Sequence, residues 1–212
     1  MGNMSVTEQK QAIPGIADAR KYAENHKKYA KLMYGGLIKR INSYGKSGRY
    51  LEIGAGPGFL TTMLAQANLD ITITAIDLSP EIAEVASEHI KDNKLEDRIL
   101  YLTGDVADTE FIKGLGVFDL IYSSYSLHDW KAPEKSIRNL WRAVGANGIL
   151  YIHDFRKMGW LRFLPFKSVE KDAMIAAPSA RKIRTIFQRM GVNDYSIKTV
   201  FPYILRDIIA KK

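Results

Sequence analysis

The sequence predicts an α/β fold: a seven-stranded, mostly parallel sheet with helices on both faces and a C-terminal antiparallel hairpin. Three observations predict it. Residues 49 to 60, RYLEIGAGPGFL, carry a short apolar run into alternate glycines and then into a helical pattern. Short apolar runs alternate with helical patterns five times, as in a parallel sheet whose crossovers are helices. Two final runs, DYSIKTV and YILRDIIA, have no helix between them and are expected to pair antiparallel.

At 212 residues the chain is long enough for one sizeable core and short for two. The expected division is a helical extension or lid over residues 1–48 and one domain over 49–212. The absence of cysteine rules out disulfides, cysteine nucleophiles and thiolate metal sites, and fits a cytoplasmic protein; no metal is expected. No apolar run approaches the roughly 20 residues of a membrane span, and MGNMSVTEQK lacks a signal-peptide core, so a soluble, intracellular protein is expected. A net charge of +8 allows an anionic partner such as RNA or a membrane surface. Lys and Arg are nevertheless spread along the chain without a dense run, which favours a solvated basic surface.

Residues 1–14 are expected to be frayed, with Pro14 and Gly15 marking a turn. A helix is expected from Ile16 to about Tyr34, interrupted at Gly35 and Gly36 before a second, LIKRINSY. Tyr22, His26, Tyr29 and Met33 fall on one face of the first helix. The stripe either packs on the domain or forms a lid whose tyrosines, Tyr22 among them, line a substrate pocket.

After the glycines a helix runs to about Ala67, and ITITAID (71–77) is a strand ending in a carboxylate. Ser79 caps and Pro80 opens the helix PEIAEVASEHIKDN, with Glu81 and Glu84 where the helix dipole favours them. RILYLTGD (98–105) is a third strand, again ending in an acid. A short helix from Thr109 to Lys113 leads through Gly114 and Gly116 to a fourth strand, VFDLIYS (117–123). Pro133 starts PEKSIRNLWRAV, and the turn GANG precedes the fifth strand, ILYIHDF (149–155). Ser179 caps ARKIRTIFQRM, which Gly191 closes ahead of the hairpin.

Gly54, Gly56 and Gly58 can take backbone angles closed to other residues, and the loop they form is expected to point free N–H groups at a ligand over the strand's carboxyl end. The spacing is G-x-G-x-G; Phe59 stands where the dinucleotide fingerprint would place its third glycine. Asp77 follows Gly54 by 23 residues, where a carboxylate can accept both ribose hydroxyls of an adenosine. An NAD enzyme would also place an acid here. The Tyr-x-x-x-Lys pair of short-chain dehydrogenases is absent.

With Glu52 just before the first glycine, the loop resembles the S-adenosylmethionine loop of class I methyltransferases, and the sheet with its terminal hairpin is similar to theirs over residues 49–212. The resemblance implies a Rossmann-like sheet and S-adenosyl-L-methionine as cofactor, leaving S-adenosyl-L-homocysteine as product. It implies that Gly54, Gly56, Gly58, Asp77 and Leu78 contact the cofactor, with Glu52 orienting the loop or the amino end of the methionine. Asp105 would accept the adenine amino group, and the Val106 N–H would face the ring. The stretch YSSYSLHDW (122–130) is similar to one found in small-molecule methyltransferases, including ubiquinone and menaquinone C-methyltransferases and their relatives. By that resemblance Ser123 lies near the methionine and His128 near the reacting centre. The Asn-Pro-Pro-Tyr signature of amino-methyltransferases is absent.

An acidic hydroxyl or carbon acceptor needs a base near neutral pKa, for which histidine is the natural candidate. His128 and His153 both fall near strand ends and each precedes an aspartate. A structural, hydrogen-bonded role is open for each. FRKMGWLRFLPFK (155–167) mixes aromatic and cationic residues, and caps a hydrophobic or anionic substrate, meets a membrane surface, forms a homodimer contact or folds back on the core. The resulting expectation is a methyltransferase acting on a small molecule. Its alternatives are an RNA or protein methyltransferase with a basic surface, and a non-catalytic binding module on the same fold.

Overall fold

The computed structural model describes residues 15–45 and 47–212; the fraying expected of residues 1–14 lies outside the described residues. Among the described residues seven strands are present: β1 (Gly48–Ile53), β2 (Ile71–Asp77), β3 (Ile99–Thr103), β4 (Phe118–Ser124), β5 (Val144–Phe155), β6 (Tyr195–Val200) and β7 (Leu205–Lys211). They form one sheet in the order β3-β2-β1-β4-β5-β7-β6. The pairs β1/β2, β2/β3 and β4/β5 are parallel, whereas β7 pairs antiparallel with both β5 and β6, as the missing helix between the last two runs predicts. The chain divides into two compact units, one ending at Asp105 and one beginning at Val106. Among the described residues no helix is long and apolar enough to cross a membrane.

The first unit holds α1 (Ile16–Lys27), α2 (Ala30–Tyr44), α3 (Phe59–Ala67) and α4 (Pro80–Asp92). The helix break expected at Gly35–Gly36 falls instead at Lys28–Tyr29, where the Tyr29 N–H donates to the His26 carbonyl at 3.0 Å in a tight turn. Two glycines cost a helix about 1 kcal/mol each relative to alanine. The buried face of α2, with Leu37, Ile38 and Ile41, contributes about 1.5 to 3 kcal/mol per side chain and outweighs them. Nor is the Tyr22 stripe the buried face. Ala19, Ala23 and Ala30 pack against Phe59, Ile82 and Val85, while Tyr22 is 41% and Tyr29 60% exposed. Small side chains let α1 approach α4 closely, and the tyrosines are left outside. At α4 the sequence signals hold, with the Ser79 hydroxyl accepting the Ile82 N–H at 3.2 Å.

The second unit holds α5 (Thr109–Gly114), α6 (Pro133–Ala143), α7 (Val169–Ala176) and α8 (Ala180–Arg189). Ser179 caps α8 by accepting the Lys182 N–H at 3.1 Å, and Gly191 follows at φ 70°, both as expected. One expectation fails, and one helix was not anticipated. GANG is not a turn before β5 but lies inside it: Val144 already pairs with Phe118, the register shifts between Phe118 and Leu120, and Asn147 sits at φ 62°. A bulge absorbs the extra residues without ending the strand. The stretch after FRKMGWLRFLPFK contains α7, whose signals were Ser168, accepting the Lys171 N–H at 3.1 Å, and Glu170 and Asp172 in the first turn.

Candidate active site

In the first unit the glycine loop is held from within. Gly54, Gly56 and Gly58 have φ of 67°, 55° and 76°, angles that a side chain would strain. The N–H groups of Gly54 and Ala55 both donate to the Ile76 carbonyl, at 2.9 and 3.1 Å, and that of Gly58 donates to Ala55 at 3.1 Å. The Gly56 N–H donates to Asp77 Oδ2 at 2.9 Å, and the Ser79 N–H to Oδ1 at 3.1 Å. The expected row of free N–H groups is therefore not what this loop offers. The carbonyls of Ile76 and Ala55 and the carboxylate of Asp77 have taken them.

Around the loop stand two acids and a phenol. Glu52 is buried and accepts the Thr61 hydroxyl at 2.6 Å, which ties β1 to the first turn of α3. Tyr101 donates to the Gly56 carbonyl at 2.5 Å. Burial raises the Asp77 carboxyl above its ordinary value, and the N–H groups of Ser79, Gly56 and Leu78 offset part of that. Burial also pushes the Tyr101 phenol well up, and the charges of Asp77, Glu52 and Tyr22 push it further. Tyr22 thus lies close enough to Tyr101 to bear on its ionisation. Leu78 and Asp105 are exposed. Thr61 and Tyr101 escaped the sequence reading, since their roles depend on contacts with residues distant in sequence.

In the second unit Val106 is buried, and its carbonyl accepts the Asn139 side-chain N–H at 3.1 Å. Asn139 Oδ1 accepts the Thr109 hydroxyl at 3.1 Å, so α6 fixes the start of this unit. Ser123, near the end of β4, is 1% exposed, and its hydroxyl has no hydrogen-bond partner among the described residues.

Both candidate histidines, His128 and His153, face carboxylates. His128 Nδ1 lies 2.8 Å from Asp154 Oδ1, and its Nε2 lies 3.3 Å from Asp129 Oδ2. Burial pushes this imidazole down, but the hydrogen bonds and charges of Asp129 and Asp154 outweigh it and raise the pKa to about 9. His128 is therefore protonated at neutral pH. Asp154 is buried opposite Arg206 in the β5/β7 register, and Arg206 donates to the Pro178 carbonyl at 2.8 Å.

His153 stands opposite Asp207 in the same register, with Nδ1 at 2.6 Å from Oδ1. Its Nε2 lies 3.3 Å from the Tyr125 hydroxyl. The Tyr125 N–H donates to the His153 carbonyl at 2.9 Å, and the residue sits at φ 52°, a conformation that costs a bulky side chain about 1 to 3 kcal/mol. Phe155 stands between the two histidine clusters, its ring 5.6 Å from Tyr125 and 5.5 Å from His128. Tyr125 and Asp207 were missed. The available signal was the charged pair Arg206–Asp207 inside the apolar run YILRDIIA.

Of the insertion at 155–167, Leu161 is buried, and Lys171 donates to the carbonyls of Leu164 and Phe166 at 2.5 and 2.6 Å. Trp160 and Phe163 remain exposed.

The sheet order, the antiparallel hairpin and the glycine loop give the fold that the chain shares with solved structures similar to it. Residues 51–152 match the family described as "Methyltransferase domain". Among relatives, the chain is 30% identical over 125 residues to malonyl-[acyl-carrier protein] O-methyltransferase of Anoxybacillus flavithermus, an alignment covering 59% of this chain and 45% of that one. It is 25% identical over 162 residues to the chloroplastic 2-methyl-6-phytyl-1,4-hydroquinone methyltransferase 1 of Oryza sativa subsp. japonica, covering 76% and 46%. The chain thus spans about half the length of the curated relatives it matches. It also superposes, with a TM-score of 0.73 and 22% identity, on a crystal structure from Methanococcus maripaludis that is provisionally described as an S-adenosylmethionine-dependent methyltransferase. That superposition covers 100% of this chain and 96% of that one, and it shows the fold.

Proposed function

We propose that this chain moves the methyl group of S-adenosylmethionine to a small-molecule acceptor by in-line displacement. The observation that carries the reading is the state of the glycine loop. A pyrophosphate-binding loop keeps its N–H groups for the anion. Here those of Gly54, Ala55, Gly56 and Gly58 are taken internally, and Glu52 and Asp77 place two carboxylates beside them. Such a loop disfavours a phosphate and suits a cofactor that carries ribose hydroxyls and a positive charge.

In this reading Asp77 uses its remaining lone pairs for the ribose hydroxyls, and Glu52 keeps α3 in place through Thr61. Leu78, Asp105 and Val106 serve the adenosine, and the Ser123 hydroxyl serves the methionine. When bound, the cofactor supplies an electrophilic methyl carbon on a sulfonium. The chain's part is to hold an acceptor in line with it and exclude water, for which positioning is worth effective molarities of roughly 10⁵ to 10⁸ M. Of the expected lid at residues 1–48, the described helices α1 and α2 act as the lid, supported by the influence of Tyr22 on Tyr101. A hydrophobic or anionic acceptor fits the aromatic and cationic stretch 155–167, and a cytoplasmic setting fits the lack of cysteine.

Calorimetry with S-adenosylhomocysteine and with NADH tests the cofactor: the first is expected to bind and the second is not, and the reverse overturns the reading. Methyl-labelled S-adenosylmethionine incubated with host extract tests the acceptor. Enzyme-dependent label is expected among small molecules, whereas label in RNA or protein transfers the activity to a macromolecule.

A further inference from the structure

Both ring nitrogens of His128 face carboxylates, so neither is free to take a proton from an acceptor. His153 is arranged differently. A carboxylate only accepts, so Asp207 at 2.6 Å fixes the proton of a neutral imidazole on Nδ1. Nε2 is left with a lone pair that faces the Tyr125 hydroxyl. His153 and Asp207 are buried, while Tyr125 is half-buried on the loop that follows the carboxyl end of β4. That end of a parallel sheet is where ligands bind. The strained backbone of Tyr125 is held by its own N–H bond to His153. Strain maintained in this way belongs to residues whose placement matters more than their conformational comfort.

We infer that Tyr125 takes the proton from the acceptor, with His153 and Asp207 as positioning residues behind it, and that the acceptor is a phenol or enol hydroxyl methylated on oxygen. The inference rests on the methyl-transfer reading. A carboxylate or a free amine presents a lone pair without losing a proton first, and would need no such relay. A hydroxyl gains from one. Its proton passes to the Tyr125 oxygen as the Tyr125 proton passes to His153 Nε2. The acceptor oxygen bonds to the methyl carbon, and the carbon–sulfur bond breaks with its electron pair left on sulfur. The positive charge lost at sulfur reappears on the His153 imidazolium beside Asp207, which returns the proton to solvent.

Nitrogen-resolved NMR of the histidines in the cofactor-free protein tests the relay directly. His153 is expected as the Nδ1–H tautomer, with an Nε2 resonance that shifts in Tyr125→Phe; an Nε2–H tautomer overturns it, even if the variant fails to fold. Turnover supplies the second readout. Tyr125→Phe is expected to lower kcat by about 10²-fold or more near pH 7 with little change in KM, the gap closing as pH rises and the acceptor ionises by itself. Rates within about threefold of wild type from about pH 6 to about pH 9, or label on a nitrogen or a carboxylate, overturn the relay. Wild-type binding of S-adenosylhomocysteine separates the two failures: its absence sinks the methyl-transfer reading, and its presence with either result above sinks the relay alone.

Discussion

The two units use their carboxylates in opposite ways. In the first, Asp77 accepts backbone N–H groups, and Glu52 accepts a threonine hydroxyl. In the second, Asp154 and Asp207 each face an imidazole. A carboxylate fed by neutral donors fixes a loop and keeps lone pairs for a ligand. One fed by an imidazole decides where a proton sits. On the proposed reading, the difference gives cofactor holding to one unit and proton handling to the other, and variants that affect only one of these properties test it.

The largest expected effect is on Asp77→Ala. It removes the acceptor for the Gly56 and Ser79 N–H groups and, on our reading, two ribose hydrogen bonds. Charge-assisted bonds of this kind contribute about 1.5 to 3 kcal/mol each, so affinity for S-adenosylhomocysteine should fall about 10²- to 10⁴-fold by calorimetry. The tautomer of His153 should not change. If it does, the separation of roles is wrong.

Next in size is Asp154→Asn, which leaves His128 and Arg206 without their buried anion. Removing one partner of a buried pair costs about 3 to 5 kcal/mol, which denaturant unfolding at neutral pH should read as lost stability. Cofactor affinity of the folded fraction should stay within about twofold.

His128 adds a pH dependence. Its folded pKa of about 9 lies above the ordinary 6.5, so its contribution is fully present below about pH 6.5 and is lost as pH rises through about 9. The full contribution is about 3 kcal/mol. Unfolding curves across that window should show stability falling with pH in wild type and a flatter profile in His128→Gln. An equal slope in the variant would assign the effect to another group.

What the sequence made legible follows from the same contrast. The first unit's loop could be placed because its backbone angles demand glycine, but the bonds that occupy its N–H groups could not, since the Ile76 carbonyl and the Asp77 carboxylate reach it from β2. The helix break at Lys28–Tyr29 was hidden, since no glycine or proline marks it and the glycines that suggested one lie in a helix held by its buried face. In the second unit the two histidines could be named but not their partners. Asp207 meets His153 across 54 residues, and Asn139 meets Val106 across 33, through strand register and helix placement that no local pattern encodes. Tyr125 was harder still, because its role comes from a positive φ that sequence does not assign to tyrosine.

Ser123 gives the smallest effect and the sharpest test of where the cofactor-holding role ends. It lies in the second unit, yet its buried hydroxyl meets no hydrogen-bond partner among the described residues. Leaving such a group unpaired costs about 1 to 3 kcal/mol, so Ser123→Ala should leave the free protein as stable as wild type or somewhat more so. A purely structural serine would show that and nothing else. If the hydroxyl serves the methionine end of the cofactor, the same variant should also bind S-adenosylhomocysteine about 3- to 10-fold more weakly, the loss of one net hydrogen bond. Unchanged affinity would confine cofactor holding to the first unit. A gain in stability paired with a loss in affinity would mean that the second unit keeps one unsatisfied group for the ligand, at the expense of its own stability.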